Sequence, residues 1–396
     1  MLRYGQGSIF SPVKIHRVAV VGCGALAQQA HLPHIQRNPR TKLVVTCDMD
    51  PAVAEACRAK YGAERAETDW RKVVAAKDVD ACVLCTHTNL RGEFIVPALE
   101  SGKAVYTEKP LAPSVEDMLA IVKASRKTGR PVCVGHNRRS SPAMLEFRRL
   151  LEKAKRGPRG LSPTVDRSGG KVRIPEEEQM QFLIRVNDDA RSWKPWVFKD
   201  SEGILFAEMV HFIDLALWFN DTPPVRAYVE GGAIGNFAIV LRFADGSTTV
   251  MHHTLVGNFD YPKELFEATV KNITLAMDQH FEVRQCGMAD EKAQTLFEYA
   301  PESTWATRKG MAGYMTERED EARRAAVEKR PSRWLNVNKG HYEHLDRFLT
   351  HLEGKGENPC PVETAVPVTR VAMKLLESSK LGLPVAISAS DLAVSA

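Results

Sequence analysis

Two stretches of this 396-residue chain carry residue types and spacings that could do chemistry. The first is Arg17-Val-Ala-Val-Val-Gly-Cys-Gly-Ala-Leu-Ala27, an apolar strand pattern that runs into a glycine turn and then a helix. Its G-x-G-x-x-A spacing suits a dinucleotide: Gly22 allows a tight turn, Gly24 lets the backbone approach a pyrophosphate, and Ala27 lets helix and strand pack closely. The helix N-terminus offers unpaired N–H groups and a partial positive charge to the phosphates. Asp48 ends the next strand, where a carboxylate can reach the adenosine ribose hydroxyls. The following Met49 is not the Arg or Lys that would welcome a 2′-phosphate, so NAD is expected rather than NADP. Gly22, Gly24, Ala25, Leu26 and Asp48 are the expected contacts; the competing role for Asp48 is to cap the helix beginning at Pro51.

The second stretch is Ile204-Leu-Phe-Ala-Glu-Met-Val-His-Phe-Ile-Asp-Leu-Ala-Leu-Trp-Phe219. A helix apolar almost all round is buried. Against that background Glu208, His211 and Asp214 stand out, and their i, i+3 spacing puts them along one stripe. Buried ionisable groups are costly unless paired or used.

Elements that could position these residues follow from the pattern. Strand-like runs at Arg17–Gly22, Leu43–Asp48, Asp80–Thr86, Ala104–Thr107 and Pro131–His136 alternate with helical ones at Ala25–Gln36, Pro51–Tyr61, Arg91–Ser101 and Ser114–Thr128. Such alternation implies a parallel sheet covered on both faces. The texture changes after residue 140. Arg138–Arg173 is rich in Arg, Lys, Gly and Pro, with one helix at Pro142–Lys153; Phe237–Phe243 and Thr248–Thr254 read as antiparallel strands with a hairpin at Asp245-Gly246. Thr316–Arg330, within a 288–335 insertion, reads as an exposed helix of mixed charge. The expected organisation is an arm (1–16), a Rossmann domain (17–137) and a C-terminal α/β domain (138–396).

Composition narrows the class. With 44% hydrophobic and 26% charged residues and a net charge of +5, the chain reads as globular, without the basic tract of a nucleic-acid binder. No apolar run approaches a bilayer-spanning length, and no secretory h-region precedes the first strand, so a cytoplasmic protein is expected. The Cys82-x-x-Cys85 pair falls on a strand, where residues three apart face opposite ways. No metal site and reduced cysteines are therefore expected.

Thr107-Glu-Lys-Pro-Leu-Ala112 resembles the E-K-P signature of the Gfo/Idh/MocA oxidoreductases. The resemblance continues at Gly135-His-Asn-Arg-Arg139, Ile184-Arg-Val-Asn187, Glu208-Met-Val-His-Phe-Ile-Asp214, Tyr261-Pro-Lys-Glu264, Asn338-Lys-Gly-His341 and Glu377-Ser-Ser-Lys-Leu-Gly-Leu-Pro384. It implies a Rossmann domain followed by an α/β domain with a largely antiparallel open sheet, often used for homo-oligomerisation as a dimer or tetramer. It also implies hydride transfer between a carbinol and NAD. Lys109 matches the lysine beside the reacting oxygen, and His211 the proton-transferring histidine. Thr86, His87, Glu108, Lys109 and Asn137 would complete the cofactor contacts. Many relatives carry Asp where this chain has Ala207, so Glu208 either orients His211 or the relay is shorter. Arg91 stands where relatives often have His.

Lys109, His211, Arg138, Arg139, Arg185 and Trp196 could line a substrate pocket, the arginines accommodating an anionic group. The leading expectation is an NAD-dependent dehydrogenase of a sugar, cyclitol or glycoside. One alternative is a glycoside-cleaving enzyme that oxidises, eliminates and re-reduces with retained NAD. The other is a dinucleotide-binding protein without catalysis.

Overall fold

The computed structural model describes residues 14–161, 178–195, 197–198, 203–231, 234–297, 310–333 and 337–394. Trp196, and the 162–173 part of the expected connection, lie outside the described residues. The chain divides into two compact units, each assembled from separated segments: 1–107, 124–133 and 345–358 form the first, and 108–123, 134–344 and 359–396 the second. A single cut at 137 therefore does not separate them.

The first unit is built on six strands: β1 (His16–Val21), β2 (Thr41–Cys47), β3 (Arg65–Glu67), β4 (Ala81–Leu84), β5 (Ala104–Thr107) and β6 (Val132–Val134). Their order is β3-β2-β1-β4-β5-β6, the Rossmann arrangement, with β1 paired in parallel to β2 and β4. Because the flanking helices bury both faces, the central strands are mostly apolar and Ala81–Leu84 is buried throughout, while the edge strand Arg65–Glu67 is half-buried and carries two charges. The helix expected at Ala25–Gln36 begins with a wide π-type turn (Ala27–His31) and continues as Leu32–Arg37. Asp50, not Asp48, caps the helix Pro51–Tyr61, accepting the Ala52 and Val53 N–H groups. The helix expected from Arg91 starts at Thr88, and the Arg91 guanidinium reaches back to the Thr86 carbonyl at 2.9 Å. The distant segment 345–358 is integral to this unit: Asp346 accepts from Asn38 at 2.8 Å, Phe348 packs edge-on to Tyr106, and Asn358 donates to the Val132 carbonyl.

The second unit is built on nine strands: β7 (Gln181–Asn187), β8 (Pro224–Gly231), β9 (Phe237–Phe243), β10 (Thr248–Thr254), β11 (Glu264–Val270), β12 (Ile273–Asp278), β13 (Glu282–Cys286), β14 (Gln294–Leu296) and β15 (Val385–Ala386). The order is β14-β13-β12-β11-β7-β10-β9-β8-β15; β7 and β10 run parallel and the other pairs antiparallel. The sheet is thus mixed and mostly antiparallel. Alternation decides which face is covered: Phe237, Ile239, Leu241 and Phe243 of β9 are buried, while Ala238 and Arg242 are exposed. The buried face joins the helices Pro142–Arg156, Val210–Phe219 and Val362–Leu381 in one core around Phe147, Phe182, Phe212, Phe219 and Phe266. At the expected hairpin Gly246 adopts φ +89, and the Phe243 N–H donates to the Ser247 carbonyl. The helix Gly310–Val327 is less solvated than its charge suggested. Glu321 is fully buried, accepting from Arg330 at 2.6 Å and from the Arg333 N–H at 2.7 Å, and Tyr314 stacks on Phe281.

Candidate active site

The glycine turn follows β1 directly. Gly22 adopts φ +85, and a Cβ there would stand 2.8 Å from the Cys85 backbone, so neither its conformation nor its surroundings admit a side chain. Gly24 differs: a Cβ would meet nothing of the protein within 4 Å. The space over Gly24 is open, which fits a cradle for a group from outside the chain. Asp48 closes the turn, its Oδ2 accepting the Cys23 N–H at 2.8 Å and its Oδ1 the Asp50 N–H at 3.0 Å. Leu26 and His87 are exposed and Thr86 is half-buried in this unit. Cys47 and Cys82 are buried free thiols, each pushed up to about 12 by burial. No group of His, Cys, Asp or Glu among the described residues could hold a metal.

In the second unit the wide turn Leu205–Met209 breaks the regular helical stripe before Val210–Phe219. Such turns leave backbone groups free for other work. Here the Ala207 carbonyl accepts the Lys109 ammonium. The residue flagged as lacking a carboxylate thus contributes through its backbone. Glu208 does not orient His211; no hydrogen bond joins them among the described residues. Its carboxylate lies 2.9 Å from Lys263 and 3.4 Å from Arg138. Burial pushes Glu208 up, but Lys263, Arg138 and Lys109 outweigh it and hold the carboxyl well below its ordinary range. A group so firmly ionised is a poor proton carrier.

His211 is buried, and its Nδ1 has no hydrogen-bond partner among the described residues. Burial first, then Arg138 and Lys109, hold its pKa well below 6.5, so the imidazole is neutral at physiological pH. His136 lies perpendicular to it, ring centroids 5.9 Å apart, and is lowered to about 4, chiefly by burial.

Around these lies a network that sequence reasoning left without roles. Glu264, at the start of β11 and fully buried, accepts Arg138 at 2.9 and 2.7 Å and His280 at 2.9 Å, and pairs with Lys339 at 2.7 Å. Lys263 also pairs with Asp188 at 3.0 Å. Lys263, Glu264 and Lys339 stood in motifs already noted, Tyr261-Pro-Lys-Glu264 and Asn338-Lys-Gly-His341. The usable signal was a charged pair at the mouth of an otherwise alternating strand.

The arginines expected at the substrate pocket are already engaged within the protein. Arg138 and Arg139 are buried and ion-paired, Arg138 with Glu264 and Arg139 with Asp214 at 2.9 and 2.6 Å. Asp214 braces the fold through that pair. Arg185 is half-buried, 4.9 Å from the Tyr261 ring, and donates to the Pro262 carbonyl. The Asn137 amide donates to the Lys339 carbonyl at 2.7 Å. Glu108 is buried, and its carboxylate accepts the Lys109 N–H at 3.3 Å.

A six-stranded sheet in this order with a glycine turn after β1 defines a nucleotide-binding unit of the Rossmann class. Residues 16–136 match the model of an oxidoreductase family with an NAD-binding Rossmann fold. The chain is 36% identical over 127 residues to 4-carboxy-2-hydroxymuconate-6-semialdehyde dehydrogenase of Sphingobium, a match covering 32% of this chain and 40% of that protein. It is 24% identical over 261 residues to inositol 2-dehydrogenase of Rhizobium meliloti, covering 63% and 72%. Among solved structures, the WlbA dehydrogenase of Bordetella pertussis, in complex with NADH and UDP-GlcNAcA, shares the fold with a TM-score of 0.67 at 19% identity, covering 95% of this chain and 98% of that one. Over residues 16–136 the chain is similar to the Gfo/Idh/MocA oxidoreductases, and it spans about two fifths of the relative it matches at 36% identity. No helix among the described residues is long and apolar enough to cross a membrane.

Proposed function

We propose that the protein is an NAD-dependent dehydrogenase that oxidises a secondary hydroxyl of a sugar or cyclitol. The observation that carries this reading is a buried, neutral His211 within the electrostatic reach of the Lys109 ammonium. Gly22, Gly24, Ala25 and Leu26 would hold the pyrophosphate and Asp48 the adenosine ribose, with Thr86 and His87 at the rim. When bound, NAD would supply the hydride acceptor for the carbinol carbon. Lys109, steadied by the Ala207 carbonyl, would hold the substrate oxygen and stabilise its developing negative charge. His211 would accept the hydroxyl proton on a ring nitrogen. Glu208 would hold Lys263 and Arg138 in place as a permanent anion.

The surrounding charges favour an uncharged polyol. Three cations (Arg138, Lys263, Lys339) are set among three carboxylates (Asp188, Glu208, Glu264), which commits them to one another. The relatives named as inositol dehydrogenases agree with a ring polyol.

The test is Lys109→Ala with NAD and a panel of cyclitols and sugars. Turnover should fall by about 10²–10³ while NAD still binds. Unchanged turnover would overturn the assignment. Cleavage of aryl glycosides without NADH accumulation would replace it with redox-assisted glycoside cleavage. Because His211 is held neutral, kcat/KM of the wild type should persist below pH 6.5 and fall only at lower pH.

A further inference from the structure

We infer that the end of the six-stranded sheet opposite the glycine turn carries a second anion-binding site, fitted to a phosphate-bearing small molecule. Parallel strands bring their starting residues to one edge. Lys14 and His16 stand at the start of β1, Val79 and Asp80 before β4, Lys103 and Ala104 at the start of β5, and Arg130 before β6. These residues, with Lys77, Ser101, Gly102 and Leu352, line a groove of about 460 Å³, a size suited to a small ligand. Gly22 lies beyond the far end of β1, about 20 Å away at ~3.3 Å per strand residue. The groove is therefore separate from the dinucleotide turn.

What marks it is a shortage of counter-charges: three lysines and an arginine line it against one carboxylate, Asp80, with Glu353 lying 3.5 Å from His16. Several other cations of this unit are paired: Arg17 with Glu64 and Asp78, Lys42 with Glu64, Arg65 with Asp78, and Arg40 with Asp346 and Glu353. Lys14, Lys77, Lys103 and Arg130 have no carboxylate within 4.0 Å among the described residues, although all four line the groove. Lys103 forms the floor. It is 3% exposed, and its ammonium has one hydrogen-bond partner among the described residues, the Ser101 hydroxyl at 3.3 Å. The groove's single carboxylate, Asp80, already accepts the Arg17 N–H at 2.8 Å.

A buried ammonium with no carboxylate in ion-pair contact is costly, and burial, outweighing the more distant Asp78 and Asp80, pulls Lys103 below its ordinary pKa. An entering anion would supply the missing charge. The mixture of three flexible ammonium groups and one planar guanidinium fork matches phosphate oxygens better than a single carboxylate.

The experiment uses the full chain and pyrophosphate as probe, titrated by calorimetry at constant ionic strength with NaCl as the balancing salt. Saturable 1:1 binding is expected, weakened at least tenfold in Lys77→Ala/Arg130→Ala, whose sites are exposed and whose NAD titration should be unchanged. Lys103→Met should abolish pyrophosphate binding without lowering the thermal midpoint, because it removes a buried charge that no carboxylate contacts. Absence of saturable binding would overturn the proposal. So would binding that survives these variants and is displaced by NAD, which would place the probe at the glycine turn.

Discussion

Substituting His136 by Phe tests how strongly the second unit suppresses protonation in its interior. The ring sits 2% exposed, with its Nδ1 3.9 Å from Asp214 Oδ2. Burial is the largest influence on it and lowers it; Asp214 and Glu108 raise it, Arg139 and Lys109 lower it, and the outcome is a pKa of about 4 against an ordinary 6.5. The unfolded chain thus takes up a proton below pH 6.5 that the native state refuses until about pH 4. The resulting stability is complete above 6.5 and is lost as pH falls through that window. At about 1.4 kcal/mol per pKa unit the full effect is ~3 kcal/mol, of which ~2 kcal/mol is expressed between pH 7.5 and pH 5. Phe keeps the aromatic volume and cannot bind a proton. Urea unfolding at the two pH values, compared between wild type and His136→Phe, should show the variant losing about 2 kcal/mol less on acidification. Subtracting the two cancels the contribution from His280, while His211 keeps the burial, Arg138 and Lys109 that chiefly lower it. Equal losses in both proteins would refute the reasoning, as would a His136 ring resonance titrating near 6.5.

Further expectations concern the glycine turn and the buried ion pairs. Gly22→Ala meets the Cys85 backbone at 2.8 Å in a left-handed conformation and should destabilise the first unit by about 1–3 kcal/mol, read as a lowered thermal midpoint. Gly24→Ala meets nothing within 4 Å, so it should fold like the wild type while weakening NAD in an equilibrium titration. Asp214→Ala leaves the Arg139 guanidinium buried and largely uncompensated, at a cost of about 3–5 kcal/mol; Asp214→Leu/Arg139→Met should recover most of that in denaturant unfolding.

How much of this was legible beforehand depended on whether a signal was local. The glycine turn, the apolar strands and the Pro51 helix start each rest on a few adjacent residues, and they stand where the pattern put them. The nine-strand order did not follow from periodicity, because alternation says which face of a strand is buried and nothing about its neighbour. Only two of those nine strands, Phe237–Phe243 and Thr248–Thr254, had been read from the pattern. Within the site, His211 and Lys109 were visible as exceptions in apolar or signature surroundings. Glu264, Lys263 and Lys339 were not, because charges at strand mouths and in loops are ordinary until the fold buries them together. The resemblance left Glu208 either orienting His211 or outside a shorter relay; the carboxylate follows the wide turn at Leu205–Met209 and lies 2.9 Å from Lys263. The arginines of Gly135-His-Asn-Arg-Arg139 looked like anion hooks only because their carboxylate partners, Glu264 and Asp214, lie more than seventy positions away.

The interleaving of the two units bears on how the protein is made. The first unit enlists residues 345–358, so the hydrogen bonds of Asn38 and Val132 await partners that are translated last among its segments. At ~5–20 residues per second, the interval between Thr107 and Asn358 leaving the peptidyl transferase centre is on the order of 10–50 s. Throughout it the nucleotide-binding sheet exists on the ribosome without its final segment, and a nascent chain stopped short of residue 358 should remain sensitive to protease at Tyr106 and its neighbours.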